Sequence, residues 1–132
     1  MMKTRDFSVA TSVYKNDKQE FVHVALDSML VNPTVKPSEI VLVEDGPVPE
    51  RLDVLIKEYE TQYPSVMKVI RLEKNGGLGN ALRLGVEKAK YDIVARMDSD
   101  DICLPNRFKL QLKYLEGHPD VDILGGQMTE FI

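Results

Sequence analysis

The sequence has few cysteine and histidine side chains, the residues that form many catalytic and metal sites. Its 132 residues include no tryptophan, one cysteine and two histidines. A single cysteine, Cys103, excludes a disulfide framework within the chain and favours a reducing compartment. Neither His23 nor His118 has a second histidine or a cysteine at ligand spacing, so we expect both to be structural. Cys103 has no nearby base and is expected to be a small buried hydrophobe.

Long apolar runs and excess positive charge are also absent. No hydrophobic run approaches the roughly 20 residues needed to cross a bilayer, and no apolar stretch follows the charged N-terminus as in a secretory signal. The 17 basic and 21 acidic side chains give a formal net charge of -4. Aromatic residues are sparse and are not interleaved with basic ones. We therefore expect no nucleic-acid partner and no transmembrane segment in this chain.

The apolar residues that are present follow two periodicities in turn. Short apolar runs predict strands over 7–14, 39–43, 67–72, 91–97 and 121–124. Apolar residues at helical spacing predict helices over 18–31, 52–59, 81–89 and 105–116. Strands that alternate with helices form right-handed βαβ units. The sequence therefore predicts one α/β domain over residues 1–132, a mostly parallel sheet with helices on both faces.

Polar or acidic clusters follow the first four predicted strands. They occupy residues 11–14, 44–46, 75–80 and 98–101. In open parallel sheets, ligands bind beyond the carboxyl ends of the strands, near the point where the strand order switches. Any one polar loop would be unremarkable, but four at one edge predict a binding site.

The most informative cluster is Asp98-Ser99-Asp100-Asp101. Three carboxylates within four residues repel one another unless water, a helix terminus or a cation neutralises them. A set of oxygen ligands suits a hard divalent ion, Mg²⁺ or Mn²⁺, that completes its shell with water and phosphates. The alternative is that Asp100 or Asp101 only caps the following helix.

The glycine-rich segment 75–80 invites a phosphate-binding interpretation but matches neither standard template. It has no Lys-Ser or Lys-Thr at P-loop spacing, and its glycines do not follow G-x-G-x-x-G after a first strand. We expect a tight turn from strand to helix. Arg83, further along that helix, either reaches a phosphate or is an ordinary exposed arginine. Asp45, after the second strand, either forms a turn or accepts a hydrogen bond from a base or ribose.

Taken in order, these motifs resemble family-2 glycosyltransferases of the GT-A fold. The matching segments are 7–14, 41–46, 75–79, 95–101 and 104–108. The most specific of them is Asp-x-Asp-Asp followed by Pro-x-Arg at a helix start. The combination of Gly-Leu-Gly with Ala-Arg-Met-Asp-Ser-Asp-Asp is similar to the branch that makes bacterial exopolysaccharides and cell-surface glycans.

The resemblance implies a nucleotide-sugar site. Ser12 and Tyr14 would lie beside the uridine, and Asp45 would hydrogen-bond the uracil. Asp98 would face the ribose, and Asp100, with Asp98, would bind the Mn²⁺ or Mg²⁺ that bridges the donor diphosphate. This chain departs from the family at two positions: the family usually has Asp in place of Glu44, and many members have Asn in the helix where this chain has Arg83. Arg83 is nevertheless predicted to bind the nucleotide.

In this family the acceptor-binding half and its general base lie beyond the Asp-x-Asp segment. We therefore expect the donor-binding half of an inverting hexosyltransferase, inactive alone and with no catalytic base in this chain. Its partners would be a UDP-sugar or other NDP-sugar and a glycan or lipid-linked glycan acceptor. The expected location is cytoplasmic, peripheral at the inner face of the membrane.

Three other classes of protein are alternatives to a glycosyltransferase. A nucleotide-sugar-binding module would hold the donor without turnover. A receiver-like signalling domain has the same size and layout, but it would place paired acids after the first strand, where this chain has Thr11-Ser12. A nucleotidyltransferase would need a glycine-rich basic first loop, which residues 14–17 do not provide.

Overall fold

The computed structural model describes residues 6–31, 33, 35–99, 102–103 and 105–118. Strands and helices alternate as predicted. The elements are β1 (Ser8–Val13), α1 (Gln19–Leu30), β2 (Glu39–Glu44), α2 (Glu50–Gln62), β3 (Met67–Arg71), α3 (Leu78–Lys88), β4 (Val94–Arg96) and α4 (Arg107–Gly117). The predicted fifth strand, over 121–124, lies outside the described residues. None of the described helices is long and apolar enough to cross a bilayer.

The four strands form one parallel sheet in the order β3-β2-β1-β4. The chain moves outward from β1 to β2 and β3, and then returns to place β4 on the other side of β1. The strand order therefore switches between β1 and β4. Receiver-type sheets have the order 2-1-3-4-5, whereas dinucleotide-binding sheets begin 3-2-1-4. The observed order removes the receiver-like alternative.

Helices cover both faces of the sheet, as predicted. Val9 and Val13 of β1 belong to the apolar core that also includes buried residues of α1 and α2. On the opposite face, α3 lies so close that a Cβ added at Gly85 would be 3.3 Å from the Cβ of Ala10. α4 returns to the first face, where the Phe108 ring packs against Phe7 with 4.9 Å between the ring centroids.

Several predicted boundaries were wrong: α2 and α3 begin two and three residues before their predicted starts, and two further errors concern the fourth strand and the fourth helix. The fourth strand was predicted over 91–97 but is only three residues long, because the Tyr91 amide donates to the Ser8 hydroxyl oxygen and not to the strand ladder. The fourth helix was predicted from Pro105 but begins at Arg107, with Asn106 as its N-cap residue. The alternative role of Asp100 or Asp101 as a cap lies outside the described residues.

Candidate functional site

The carboxyl ends of β1, β2 and β4 meet at the point where the strand order switches. The Asp45 amide donates to the Val13 carbonyl at 2.8 Å, and the Met97 amide donates to the Ala10 carbonyl at 3.0 Å. These bonds bring the residues after β2 and β4 to the two sides of β1. Ser12 is buried near the end of β1, and the exposed Tyr14 follows it. The predicted convergence of polar clusters at one sheet edge is therefore confirmed for the first three clusters and for Asp98.

Asp45 connects β2 to the glycine-rich segment. Its side chain is buried, and its Oδ1 accepts a hydrogen bond from the Gly76 amide at 2.8 Å. Asn75 donates to the Asp45 carbonyl at 3.2 Å and accepts from the Gly77 amide at 3.1 Å. The segment is thus a tight turn that leads into α3, as predicted. A base hydrogen-bonded to Asp45 would have to use the second carboxylate oxygen, Oδ2.

Gly46 makes this close approach possible. Its φ of +89° lies in the left-handed region, and an added Cβ would be 2.7 Å from the Asn75 backbone nitrogen. A side chain at this position would therefore strain its own backbone and push the turn away from Asp45. The sequence suggested a turn at Gly46-Pro47 but gave no sign that a second loop packs against it.

Asp17 is a site residue that the sequence did not reveal. Its Oδ2 accepts hydrogen bonds from the Tyr14 amide at 2.9 Å and from the Ser99 hydroxyl at 3.1 Å. Asp17 thereby joins the loop after β1 to the loop after β4, across the switch point. Asn16, Phe21 and Ser99 are among the residues that line an open cleft of about 160 Å³ beside it. A local turn signal was present in Lys15-Asn16-Asp17, but the partner is 82 residues away.

Asp98 is the acidic residue of the Asp-x-Asp-Asp motif that the structure describes. Its carboxylate is half exposed, and Oδ1 lies 3.8 Å from Nη2 of Arg96. Asp100 and Asp101 lie outside the described residues, and the residues that are described contain no group of three potential metal ligands. The carboxylate oxygens of the motif are ligands that suit a hard divalent ion. Metal binding by Asp98 and Asp100 stays a prediction.

Arg83 lies on the exposed side of α3. Its guanidinium pairs with Glu87 Oε1 at 2.6 Å and donates to Asn80 Oδ1 at 2.8 Å, both on its own helix. These contacts are those of an ordinary exposed arginine, the alternative that the sequence left open. A phosphate contact by Arg83 is still a prediction.

Buried Glu44, the last residue of β2, faces a charged cluster that the sequence did not predict. Its Oε2 lies 3.4 Å from Nε of Arg71 on β3, and that Nε lies 3.1 Å from Oδ1 of Asp53 on α2. Arg71 also pairs with Glu60, and Asp53 pairs with Lys57 at 3.0 Å. Three carboxyl groups thus share two cations at the outer side of the sheet. The residues come from three separate elements, so only the fold brings them together.

Burial raises the pKa of Glu44 to about 7, and the adjacent Asp53 is the next cause. The pKa of Asp53 falls to about 2, because the Glu44 carboxyl holds the proton of the pair and donates toward it. Arg71 opposes the shift of Glu44 but does not cancel it. Glu44 is therefore partly protonated at neutral pH, and ionising it would place an additional negative charge beside Asp53.

This cluster predicts a fall in stability as the pH rises. Because the folded pKa of Glu44 exceeds its ordinary value of 4.5, the folded chain retains a proton that the unfolded chain loses between pH 4.5 and 7. The loss is at most about 3 kcal/mol in the free energy of unfolding. The pKa shift of Asp53 acts below pH 4 and leaves this window unaffected. Glu44→Gln, which mimics the protonated form, should remove the fall.

Urea unfolding at pH 5 and pH 8 measures this effect. We expect Glu44→Gln to be about 1–3 kcal/mol more stable than the wild type at pH 8 and nearly equal at pH 5. Glu58→Gln, an exposed substitution on the same helix as Asp53, is the matched control and should keep the wild-type dependence. An unchanged difference between the two pH values in Glu44→Gln would show that another group titrates.

The remaining residues singled out in the sequence have structural surroundings. His23 Nδ1 lies 3.0 Å from the Tyr59 hydroxyl, which also donates to Asp27 at 2.6 Å and so joins α2 to α1. His118 follows α4 and lies against Tyr114, with 3.9 Å between the ring centroids. Cys103 is buried, and burial raises the pKa of its thiol. The predictions of structural roles agree with these positions.

A parallel sheet in the order 3-2-1-4, with an acidic residue at its switch point, is the arrangement of doubly wound α/β domains. Comparison with known families makes this more specific. Residues 8–132 match the model of glycosyl transferase family 2. The chain belongs to this family, and the resemblance seen in the sequence is confirmed.

Two curated relatives resemble nearly the whole chain. The amylovoran biosynthesis glycosyltransferase AmsE of Erwinia amylovora is 46% identical over 125 residues, which are 95% of this chain and 46% of that protein. The UDP-Gal:alpha-D-GlcNAc-diphosphoundecaprenol beta-1,3-galactosyltransferase of Escherichia coli is 39% identical over 128 residues, 97% of this chain and 46% of that protein. The chain spans about half the length of these relatives.

Solved structures share the fold. TarS 1-349 of S. aureus in complex with UDP-GlcNAc has a TM-score of 0.72 at 25% identity, with 87% of this chain and 32% of that chain covered. GalNAc-T7 with UDP, GalNAc and Mn²⁺ has a TM-score of 0.63 at 26% identity, with 72% and 18% covered. The predicted GT-A fold is confirmed by these similarities.

Proposed function

We propose that residues 1–132 form the donor-binding part of a metal-dependent glycosyltransferase. The donor would be a UDP-sugar or another NDP-sugar. The observation that carries this proposal is the meeting of Ser12, Tyr14, Asp45 and Asp98 at the switch point of the sheet. Relatives and structural neighbours whose names include UDP-Gal, UDP-GlcNAc or UDP support the choice of nucleotide.

Each side chain has a part that suits its position. Ser12 and Tyr14, at the end of the central strand, would lie beside the uridine. Asp45 Oδ2 would accept from the uracil N–H while Oδ1 keeps the Gly76 turn in place. Asp98, at the other side of β1, would accept from a ribose hydroxyl. Hydrogen bonds from a base and a ribose to two separated carboxylates would fix the orientation of the nucleotide.

Asp98 and Asp100 would hold the divalent cation, Mn²⁺ or Mg²⁺. When bound, such an ion is a Lewis acid that offsets the charge on the departing nucleotide diphosphate. Its carboxylate ligands would come from one short segment after β4, so their positions depend on how that segment leaves the sheet. A neighbour of the same fold whose structure contains UDP and Mn²⁺ supports this proposal.

The complete reaction would be inverting transfer of the sugar to an acceptor hydroxyl in surface polysaccharide synthesis. The names of the two curated relatives support an acceptor of this kind, a glycan or a lipid-linked glycan. A single displacement requires a general base within hydrogen-bond reach of the attacking hydroxyl, and we assign none to this chain. A lipid-linked acceptor would require the protein to act at the cytoplasmic face of the membrane, bound peripherally.

Calorimetric titration with UDP, in Mn²⁺ and in EDTA, tests the proposal. We expect binding at least tenfold tighter in Mn²⁺ than in EDTA, because the diphosphate and the carboxylates share the cation. Equal affinities in the two buffers would contradict the donor site.

A second candidate is a nucleotide-sugar-binding module that does not turn the donor over. This alternative needs only the proposed donor contacts of Ser12, Tyr14, Asp45 and Asp98. Incubation of the chain with UDP-sugars and lipid-linked acceptors tests whether the chain transfers the sugar by itself. Binding without transfer is the expected outcome for this chain alone, and transfer would show that it contains its own general base.

A further inference from the structure

Arg107 joins the start of α4 to the end of β4. Its Nη2 donates to the Arg96 carbonyl at 3.0 Å, and its Nη1 lies 2.6 Å from Sδ of Met97. On its own helix, Nε donates to Gln111 at 3.3 Å, and the guanidinium carbon lies 5.5 Å from the centre of the Phe108 ring. One side chain therefore spans both ends of the segment that carries the acidic motif.

The Arg96 carbonyl lies on the side of β4 that is not paired with β1. Met97 donates its amide to Ala10 of β1, and alternate peptide groups of a strand point to opposite sides. The carbonyl of Arg96 therefore points away from β1, to the side of β4 that has no strand partner among the described residues. Arg107 supplies a donor there. Among the described residues, the other strand contact of this three-residue strand is its pairing with β1.

The second contact fixes the residue that precedes Asp98. Met97 is buried, and its sulfur faces the Arg107 guanidinium. The guanidinium is planar and has donors in a rigid fork, so one arginine can fix two groups at a defined separation. The peptide that leads to Asp98 is thus held from the β1 side by Ala10 and from the α4 side by Arg107.

We infer that Arg107 is a positioning residue that sets where Asp98 leaves the sheet, and hence where the donor diphosphate and its cation are bound. This inference rests on the proposed function. Arg107 does not contact the ligand in this scheme, and each of its three guanidinium nitrogens donates a hydrogen bond within the protein. A simple anchor for α4 is the competing role, and it would affect stability alone.

The test compares Arg107→Met with the wild type in two measurements. The first records amide chemical shifts of the ligand-free chain, where we expect changes at Met97, Asp98 and Ser99. The second is calorimetric titration with UDP in Mn²⁺ and in EDTA, below the unfolding temperature of each variant. We expect at least tenfold weaker binding in Mn²⁺ and a smaller loss in EDTA, where only the proposed ribose contact of Asp98 is affected.

Two further variants make the result specific. Arg107→Lys keeps a cation that can donate to the Arg96 carbonyl but has no second arm for Met97, so its affinity in Mn²⁺ should lie between those of the wild type and Arg107→Met. If Arg107→Met does not fold, the same comparison is made with Arg107→Lys. Arg51→Met, an exposed substitution on α2, is the matched control and should bind like the wild type.

The outcomes separate this inference from the proposed function. If Arg107→Met and Arg107→Lys bind UDP in Mn²⁺ as tightly as the wild type does, the positioning role is overturned and the proposed donor site is unaffected. A loss of stability without a change in affinity would identify Arg107 as an anchor for α4. Absence of metal-dependent binding in the wild type would overturn both.

Discussion

Asp100→Ala is expected to abolish the increase in UDP affinity that Mn²⁺ provides, while the chain remains folded. A divalent ion at this site would take its protein ligands from two carboxylates, Asp98 and Asp100, and the substitution removes one of them. Loss even of groups that only support a metal ligand costs roughly 10- to 100-fold in affinity, so loss of the ligand itself should cost about 100-fold or more. The affinity for UDP in EDTA should not change.

Asp92→Ala is the matched control for this prediction. Asp92 is exposed and precedes β4 at the amino edge of the sheet, so its removal changes the net charge equally without touching the proposed site. It should retain the wild-type response to Mn²⁺. Both variants should keep the wild-type far-ultraviolet circular dichroism. Asp92→Ala, an exposed substitution, should also keep the wild-type free energy of unfolding to within about 0.5 kcal/mol. A full response to Mn²⁺ in Asp100→Ala would refute its role as a ligand.

The second large effect is expected from Gly46→Ala. The left-handed backbone alone costs an alanine about 1–2 kcal/mol. The new Cβ would also meet the Asn75 backbone nitrogen at 2.7 Å, a contact that forces the turn to move. We expect a loss of about 3 kcal/mol or more in the free energy of unfolding. Because Asp45 holds Gly76 in the same turn, UDP affinity should fall about tenfold as well, the equivalent of 1.4 kcal/mol.

Alanine variants at two other glycines separate the cost of the backbone conformation from the cost of the steric clash. Gly77 has a φ of +93° and a ψ of 157°, a region essentially restricted to glycine, with open space around its Cβ position. Gly77→Ala should therefore show a backbone cost of about 1–3 kcal/mol without a clash. Gly79 has open space too and lies inside α3, where alanine is the better helix former, so Gly79→Ala should be neutral or stabilising. Urea unfolding and calorimetry on the three variants give the comparison. A loss in Gly46→Ala no larger than that in Gly77→Ala would show that contact with the turn is unimportant.

The order and type of the elements could be predicted because they depend on local periodicity. Apolar runs and helical spacing gave all four described strands and all four helices. The strand order could not be predicted in this way, since alternation of strands and helices is common to several sheet orders. The start of β4 was predicted wrongly because a side chain distant in sequence accepts a backbone hydrogen bond there. The Ser8 hydroxyl takes the amide of Tyr91, and β4 begins three residues later.

The site was predictable as a set of strand ends but not as a set of contacts. Asp45 and Asp98 could be placed at the sheet edge because each directly follows a predicted strand. The contacts of Asp17 and Arg107 depend on partners brought together only by the fold, from β4 and the loop after it. The raised pKa of Glu44 could not be predicted from the sequence either, because it is caused by burial and by Asp53 on a neighbouring helix.

Paramagnetic broadening by Mn²⁺ tests the central claim most directly. The claim is that a nucleotide diphosphate and a cation bind together at the carboxyl edge of β1, β2 and β4. In ¹⁵N-labelled chain with UDP, a substoichiometric amount of Mn²⁺ should broaden the amide signals of Tyr14, Gly76 and Asp98. The amides of Glu39 and Tyr91, at the amino edge, should remain sharp. Broadening that is centred on the amino edge, or that is the same with and without UDP, would contradict the claim.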